Sequence, residues 1–463
     1  MSGSRAPRSA WLPLVIFALA VCVAPVRAGP AEVFLDCRPG PLALSSPPLP
    51  AAFVGACRAS EPASLAAVGQ PELTSGAHAE RLFAERLPDG TGRALRVEGR
   101  TWRFCTPLGE SRSPWRLALE LCQGALRGAE VAENGSLALT LPARRQAIGV
   151  CARAGHRLVL GLAHEEFFGE GELVARVVSP PQKAPVGDAR AAWSRAVFEA
   201  EHRFGDYALT ARYATTETNL HVAAATAVGR AGVALAPPER EWAVRLLRRR
   251  GRRAHFASYE CATAAADNEP VLLGAVRVGG VDAAARRWRA LLGTRYGEAR
   301  RGGQVVLVVQ GARGTLSGGA FSGIVPGLGE SYAATARVDV RAVGVHAGLW
   351  RPAGRFVVGC GASVTAGVVT GRLRARTLPG FAGPGRVLME RTAENAPFQL
   401  YTVSCGARYR SGRLSVSYGV AALVPVLSAE LRRFLFGPPA PPPPVRPRVE
   451  IPVVHALQVR WTF

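Results

Sequence analysis

The stretch IPVVHALQVRWTF, Ile451 to Phe463, alternates side-chain character at every second position. Val453, His455, Leu457, Val459, Trp461 and Phe463 share one set of positions, while Val454, Ala456, Gln458, Arg460 and Thr462 fall between them. Period two is the signature of an extended strand, whose successive side chains leave opposite faces.

The same rhythm recurs upstream. In Phe356–Val368 the odd-numbered partners Gly359, Gly361, Ser363, Thr365 and Gly367 oppose Phe356, Val358, Cys360, Ala362, Val364, Ala366 and Val368. Gln399–Arg410, Leu414–Val426 and Tyr332–Ala342 alternate in the same way. Runs of ten or more residues outlast the five or six typical of a soluble sheet and match the length that crosses a bilayer at a tilt. Past Ala342 the apolar positions shift to Val343, Val345, Ala347 and Leu349, which marks either a bulge or an extension of the strand beyond the membrane band.

The connections alternate as well. Ser428–Glu450, Arg376–Ala396 and Arg313–Ser331 are long, whereas Ser411-Gly412 and Arg351–Gly354 are tight. Membrane barrels show this parity, with short turns on the periplasmic side and longer loops outside. No later window holds eighteen consecutive apolar residues, so a membrane-borne chain of this kind has to close its strands into a barrel. On Val453, Leu457, Val459, Trp461 and Phe463 the chain resembles the bacterial outer-membrane β-barrel proteins. The resemblance implies a terminal signal read by the barrel-assembly machinery, and His455 departs from its apolar pattern. It covers residues 301–463 and gives six strands. Two more come from upstream, from His255–Cys261 with Val271–Val278 or from Tyr207–Tyr213 with Leu220–Leu235, for a small barrel of about eight strands.

The N-terminal 28 residues read as a secretory signal, with Arg5 and Arg8 before the apolar run Trp11–Val23 and Val26-Arg27-Ala28 before the cleavage point. Residues 29–180 hold short apolar bursts bounded by turn residues, such as Ala94–Val97 and Leu137–Leu141, and read as a β-rich, disulfide-containing periplasmic region. Residues 181–300 read as mixed α/β. Asp188 caps a helix that places Trp193, Ala196, Val197 and Ala200 on one face, and Glu239–Arg250 and Asp282–Leu292 are two further amphipathic helices.

Nine cysteines, less Cys22 in the signal, leave an even number in an exported chain, which points to disulfides. Cys37 with Cys57 and Cys105 with Cys122 are candidate local pairs, the connectivity otherwise being open. No cysteine spacing suits a metal, and no cofactor motif is present.

The 463 residues carry a formal charge of +23, almost all of the basic side chains being arginine, with Lys183 the one lysine. Export makes lipopolysaccharide phosphates, anionic headgroups or acidic glycans the natural partners and leaves no role for nucleic acid. The densest basic run is Arg245, Arg248, Arg249, Arg250, Arg252 and Arg253, a candidate contact for anionic lipid. The prolines of Gly437–Arg448 read as a stiff polyproline segment in the last long loop.

Catalytic constellations are weak. His164-Glu165-Glu166 lacks the second histidine of a zinc protease, and no GxSxG elbow occurs. The resulting expectation is a non-enzymatic outer-membrane barrel that binds, anchors or passes a small solute, with its N-terminal region in the periplasm. A soluble glycan-binding β protein and a barrel-embedded hydrolase are the alternatives.

Overall fold

The computed structural model describes residues 72–86, 92–108, 114–132, 135–155, 157–177, 182–226, 229–273, 276–297, 301–321, 331–377, 386–436, 448–449 and 453–462. Phe463, the signal sequence, Cys37, Cys57 and the proline segment lie outside them.

Eighteen strand segments form one antiparallel sheet. The first seven are β1 (Glu72–Arg86), β2 (Gly92–Pro107), β3 (Trp115–Ala132), β4 (Gly135–Ala154), β5 (Leu158–Val177), β6 (Gln182–Phe204) and β7 (Tyr207–Thr226). β8 (Gly229–Leu235), β9 (Glu239–Arg250), β10 (Arg253–Leu273), β11 (Val276–Gly297) and β12 (Gly302–Phe321) follow. The last are β13 (Ser331–Ala353), β14 (Phe356–Thr377), β15 (Val387–Ser411), β16 (Leu414–Leu427), β17 (Arg448–Val449) and β18 (Val453–Thr462), with a helix, α1 (Ala429–Phe436), between β16 and β17.

The sheet closes on itself. β18 pairs with β16 on one side and with β1 on the other, Thr462 lying opposite Glu72. Two strands are interrupted rather than separate. β8 and β9 both pair with β7 and β10, on either side of Ala236-Pro237-Pro238. Proline has no N–H for a ladder, so two in succession break the pairing locally. β17 and β18 likewise share β1 as their partner. Among the described residues, sixteen strands therefore circle the barrel.

The barrel has two unlike ends. At the terminal rim, where β1 begins and β18 ends, the turns centre on Gly155, Gly205, Gly251, Gly297, Gly354 and Gly412, all at positive φ. Gly205-Asp206, Gly251-Arg252, Gly354-Arg355 and Gly412-Arg413 are two-residue hairpin turns with positive φ at the glycine only. That is the type II′ arrangement, whose twist suits antiparallel strands. The strand ends that flank the longer intervals, Phe321 and Ser331, Thr377 and Val387, Leu427 and Arg448, fall at the opposite, distal rim.

The barrel is apolar outside and charged inside. Leu162, Leu292, Leu349 and Val403 point outward at about 60% exposure, while Arg145, Glu165, Glu199 and Glu241 point inward and are buried. This reverses a soluble fold and is what lipid outside requires. The apolar band has a lower and an upper edge. Trp115, Phe204, Tyr296, Phe356 and Trp461 stand exposed at the terminal rim as an aromatic girdle. Along β13 the outward residues read Leu349, Ala347, Val345 and Val343 and then turn to Arg341, Asp339, Arg337 and Thr335. The band is thus about ten residues tall, which suits a tilted crossing of ~25 Å. Many strands are twice that length, β15 having 25 residues, and they run on past the band toward the distal rim.

Several sequence expectations are corrected here. The switch of apolar face at Ala342/Val343 is not a bulge, because β13 pairs without a register shift to both β12 and β14. It marks the water boundary: below it lipid lies outside, and above it the apolar residues turn inward. The expected helices around Trp193, over Glu239–Arg250 and over Asp282–Leu292 are β6, β9 and β11. Alanine, arginine and leucine are good helix formers, and here the ladder bonds on both sides override that weak preference. Among the described residues there is no mixed α/β middle region and no eight-stranded barrel. β1–β5 belong to the same closed sheet, so its first described strand starts at Glu72 and not near residue 301. The intervals Arg313–Ser331 and Arg376–Ala396, expected as loops, are largely the outer ends of β12–β15.

Candidate functional site

The interior face is the site the fold builds. Row by row around the wall, the register sets charged residues beside small ones. One row runs Ala163, Val197, Ala214, Glu241, Ala262, Arg287 across β5 to β11, skipping none of the intervening strands. The next runs Gly161, Glu199, Arg212, Ala243, Glu260, Arg289. The alanines leave room for long side chains from either side to meet above them.

Glu241 is the hub. It accepts from Arg195 Nη2 at 3.0 Å and from Arg287 Nη2 at 2.9 Å, and Arg212 donates to its other oxygen. Arg287 also reaches Glu239 at 3.0 Å, and Arg289 donates to Glu260 at 3.0 Å. On the other flank, Arg145 pairs with Glu165 at 3.1 Å, and Arg195 lies 3.9 Å from the same carboxylate. The partners are nearly excluded from solvent, so each charge depends on the others. Five arginines and four glutamates named here leave the wall close to neutral yet densely polar.

The facing wall is different. At mid-height from β12 to β15 the inward positions are small or uncharged, including Gly344, Gly348, Gly361, Ser363, Thr402 and Ser404, while the inward arginines Arg408 and Arg391 lie toward the terminal and distal rims. Gln304 and His346 meet there at 3.4 Å. At that height the lumen is therefore two-sided, one half charged and the other neutral.

Helix α1 sits in the distal mouth against the neutral side. Ser428 caps it, its Oγ accepting from the Leu431 amide at 3.2 Å. Leu431 and Phe434 are 3% and 2% exposed, packed on the inward residues Ala336, Val369, Leu373, Ala393 and Ala396. Gly371 admits the Phe434 ring, since a Cβ there would lie 2.5 Å from its tip. The wall bulges where the helix docks. Asn395 takes a left-handed conformation at φ 52°, and the Glu394 amide donates to Glu430 at 2.7 Å.

The residues singled out from the sequence fall elsewhere. The arginine run lies at the terminal rim, at the end of β9, in its turn and at the start of β10. The pleat divides it: Arg248 and Arg250 point outward just beyond Trp242, Val244 and Leu246, and Arg245 and Arg249 point inward. Arg248 stacks over the Tyr207 ring at 5.4 Å. Val453, Leu457, Val459 and Trp461 lie on the closing strand, with Leu457 and Trp461 exposed toward lipid. Cys105 is opposite Ala118 and Cys122 opposite Thr101, four ladder positions apart, farther than the roughly 7 Å that a disulfide spans. The charged wall was missed in the sequence. Its signal is Glu239, Glu241 and Ala243 alternating with Arg240, Trp242 and Val244, a period of two that the helical reading of that segment concealed.

Among the described residues, no group of three or more His, Cys, Asp or Glu is placed to hold a metal, and no helix is long and apolar enough to cross a membrane.

No family model matches the chain, and no curated protein sequence matches it. Solved structures do. The TodX monoaromatic hydrocarbon channel, as a deltaS2 mutant, has 11% identity and a TM-score of 0.41, covering 89% of this chain and 94% of that one. A Pseudomonas aeruginosa FadL homologue gives 11% and 0.40 over the same shares. CdiB from Acinetobacter baumannii gives 10% and 0.40 over 85% of this chain, which spans 60% of CdiB. With its closed even-numbered sheet, lipid-ready outer band and polar interior, the chain has the architecture of an outer-membrane β-barrel, the class in which these structures fall.

Proposed function

We propose that this chain is a non-enzymatic outer-membrane channel for small polar solutes, seated with its terminal rim toward the periplasm. One observation carries the reading: sixteen strands circle a polar interior, and barrels of sixteen to eighteen strands enclose more space than wall side chains fill. The charged wall and the neutral wall give a passing ion or dipole an oriented field, and α1 narrows the distal entrance. Short glycine turns and both sheet termini at one end support the orientation.

Two partner assignments follow from it. The outward arginines Arg248, Arg250 and Arg253 stand beside the aromatic girdle at headgroup height, where they meet anionic lipid of the periplasmic leaflet, with Arg245, Arg249 and Arg252 behind or between them. The closing strand, through Val453, Leu457, Val459, Trp461 and Phe463, serves as the signal for the barrel-assembly machinery. Lipopolysaccharide borders the opposite, distal half of the band.

Planar-bilayer recording tests the channel. Folded protein, verified by heat-modifiable gel mobility, should give discrete current steps. Heat-modifiable protein that inserts and passes no current would remove the reading.

A further inference from the structure

Cys360 and Cys405 are direct register partners on β14 and β15. Directly opposed residues of an antiparallel pair have Cα atoms about 4.5–5.5 Å apart, inside the range of roughly 4.4–6.8 Å that a disulfide needs. Their Sγ atoms are 3.0 Å apart, and both side chains are exposed on the outward face. Their ladder neighbours on that face, Leu349 on β13 and Val420 on β16, are apolar. Neither thiol therefore has a polar side chain across the ladder to engage except the other.

We propose that Cys360 and Cys405 form a disulfide that staples the β14–β15 hairpin. The chemistry is thiol–disulfide exchange with a disulfide donor, either a dithiol oxidoreductase in its oxidised form or a small-molecule disulfide. One cysteine, as thiolate, attacks the donor and expels one donor thiol. The second then attacks the mixed disulfide and expels the other. The two cysteines lose two electrons and two protons in total, and the donor is reduced to two thiols. In the folded barrel the pair faces lipid a few residues above the Gly354-Arg355 turn, so the exchange belongs to the stage before insertion, while the hairpin is still in water.

Peptide mapping tests it on the full chain isolated from outer membranes in detergent without reductant. The sample is denatured in N-ethylmaleimide and cut with trypsin, which releases residues 356–372 and 392–408, each holding one of the two cysteines. The expected result is a single linked pair of these peptides, lost on reduction and replaced by the two free peptides, each heavier by one hydrogen. Cys360→Ser should abolish the linked species and leave Cys405 fully alkylated. Recovery of both peptides carrying N-ethylmaleimide, or of either linked to a different cysteine, overturns the proposal.

Discussion

Arg287 on β11 reaches across the whole width of β10 to donate to Glu241 on β9 at 2.9 Å, over Ala262, the residue that lies between them in the ladder. The contact exists because the middle residue is alanine. It also shows how the wall is built, with each charge bonded to residues one or two strands away, so that the network spans β4 to β11 as a unit.

Glu241→Gln should destabilise the barrel severely. Glutamine leaves Arg195, Arg212 and Arg287 without their shared carboxylate, and breaking a buried pair in this way costs about 3–5 kcal/mol. Urea unfolding in lipid vesicles measures it. Ala262→Leu should produce a smaller loss in the same assay by filling the gap that Arg287 crosses. Glu390→Gln is the control. Its partner Arg372 lies at 2.7 Å on the exposed outer ends of the strands, and the hydrogen bond from Arg372 holds the Glu390 carboxyl below the usual carboxylate range. Solvent screens such a pair, and the unfolding midpoint should not move measurably at neutral pH.

The water boundary on β13 makes a second prediction. Val345 and Thr335 point outward on the same strand, the first within the apolar band and the second beyond it. Val345→Arg should cost about 2–4 kcal/mol in vesicles, the penalty for an arginine near the bilayer midplane. Thr335→Arg should cost nothing measurable. Equal costs would mean that the band ends elsewhere.

How much of this was legible beforehand follows from the same boundary. From Phe356 to Thr462 the neutral wall of small residues lies opposite lipid-facing apolar ones, so the alternation was plain and the closing strand was placed correctly. From β4 to β11 the inward face carries arginine, glutamate and tryptophan, and the outward face mixes alanine with polar residues above the band. The contrast between faces vanished there, and Ala-Arg-Leu segments such as Ala283–Leu292 matched a helical spacing by coincidence. Strand number could not be read for that reason. Pairings such as Glu241 with Arg287, 46 residues apart, depend on register, which no local pattern announces.

Helix α1 gives a third prediction. Phe434→Ala removes the ring that fills the space above Gly371, and burying a ring of that size is worth about 3–5 kcal/mol. The helix should leave the mouth. Trypsin should then cut after Arg432 or Arg433 much faster than in the parent, and single-channel current should rise. Gly371→Val should have the same effect from the wall side, by occupying the place of the ring. Ser428→Ala should loosen the helix by only about 1 kcal/mol, the usual value of an N-cap. Unchanged proteolysis in Phe434→Ala would show that the helix is held by other contacts.

The most direct measurement is a nitroxide scan along β13 in reconstituted vesicles, with the label carried by an encoded residue so that the native cysteines stay in place. Accessibility to oxygen, which concentrates in lipid, should peak at 343, 345, 347 and 349 and fall at 344, 346 and 348. From 341 to 335 the outward positions should instead be accessible to a water-soluble relaxant. Uniform accessibility to the water-soluble relaxant from 335 to 349 would contradict a membrane-spanning barrel with this band.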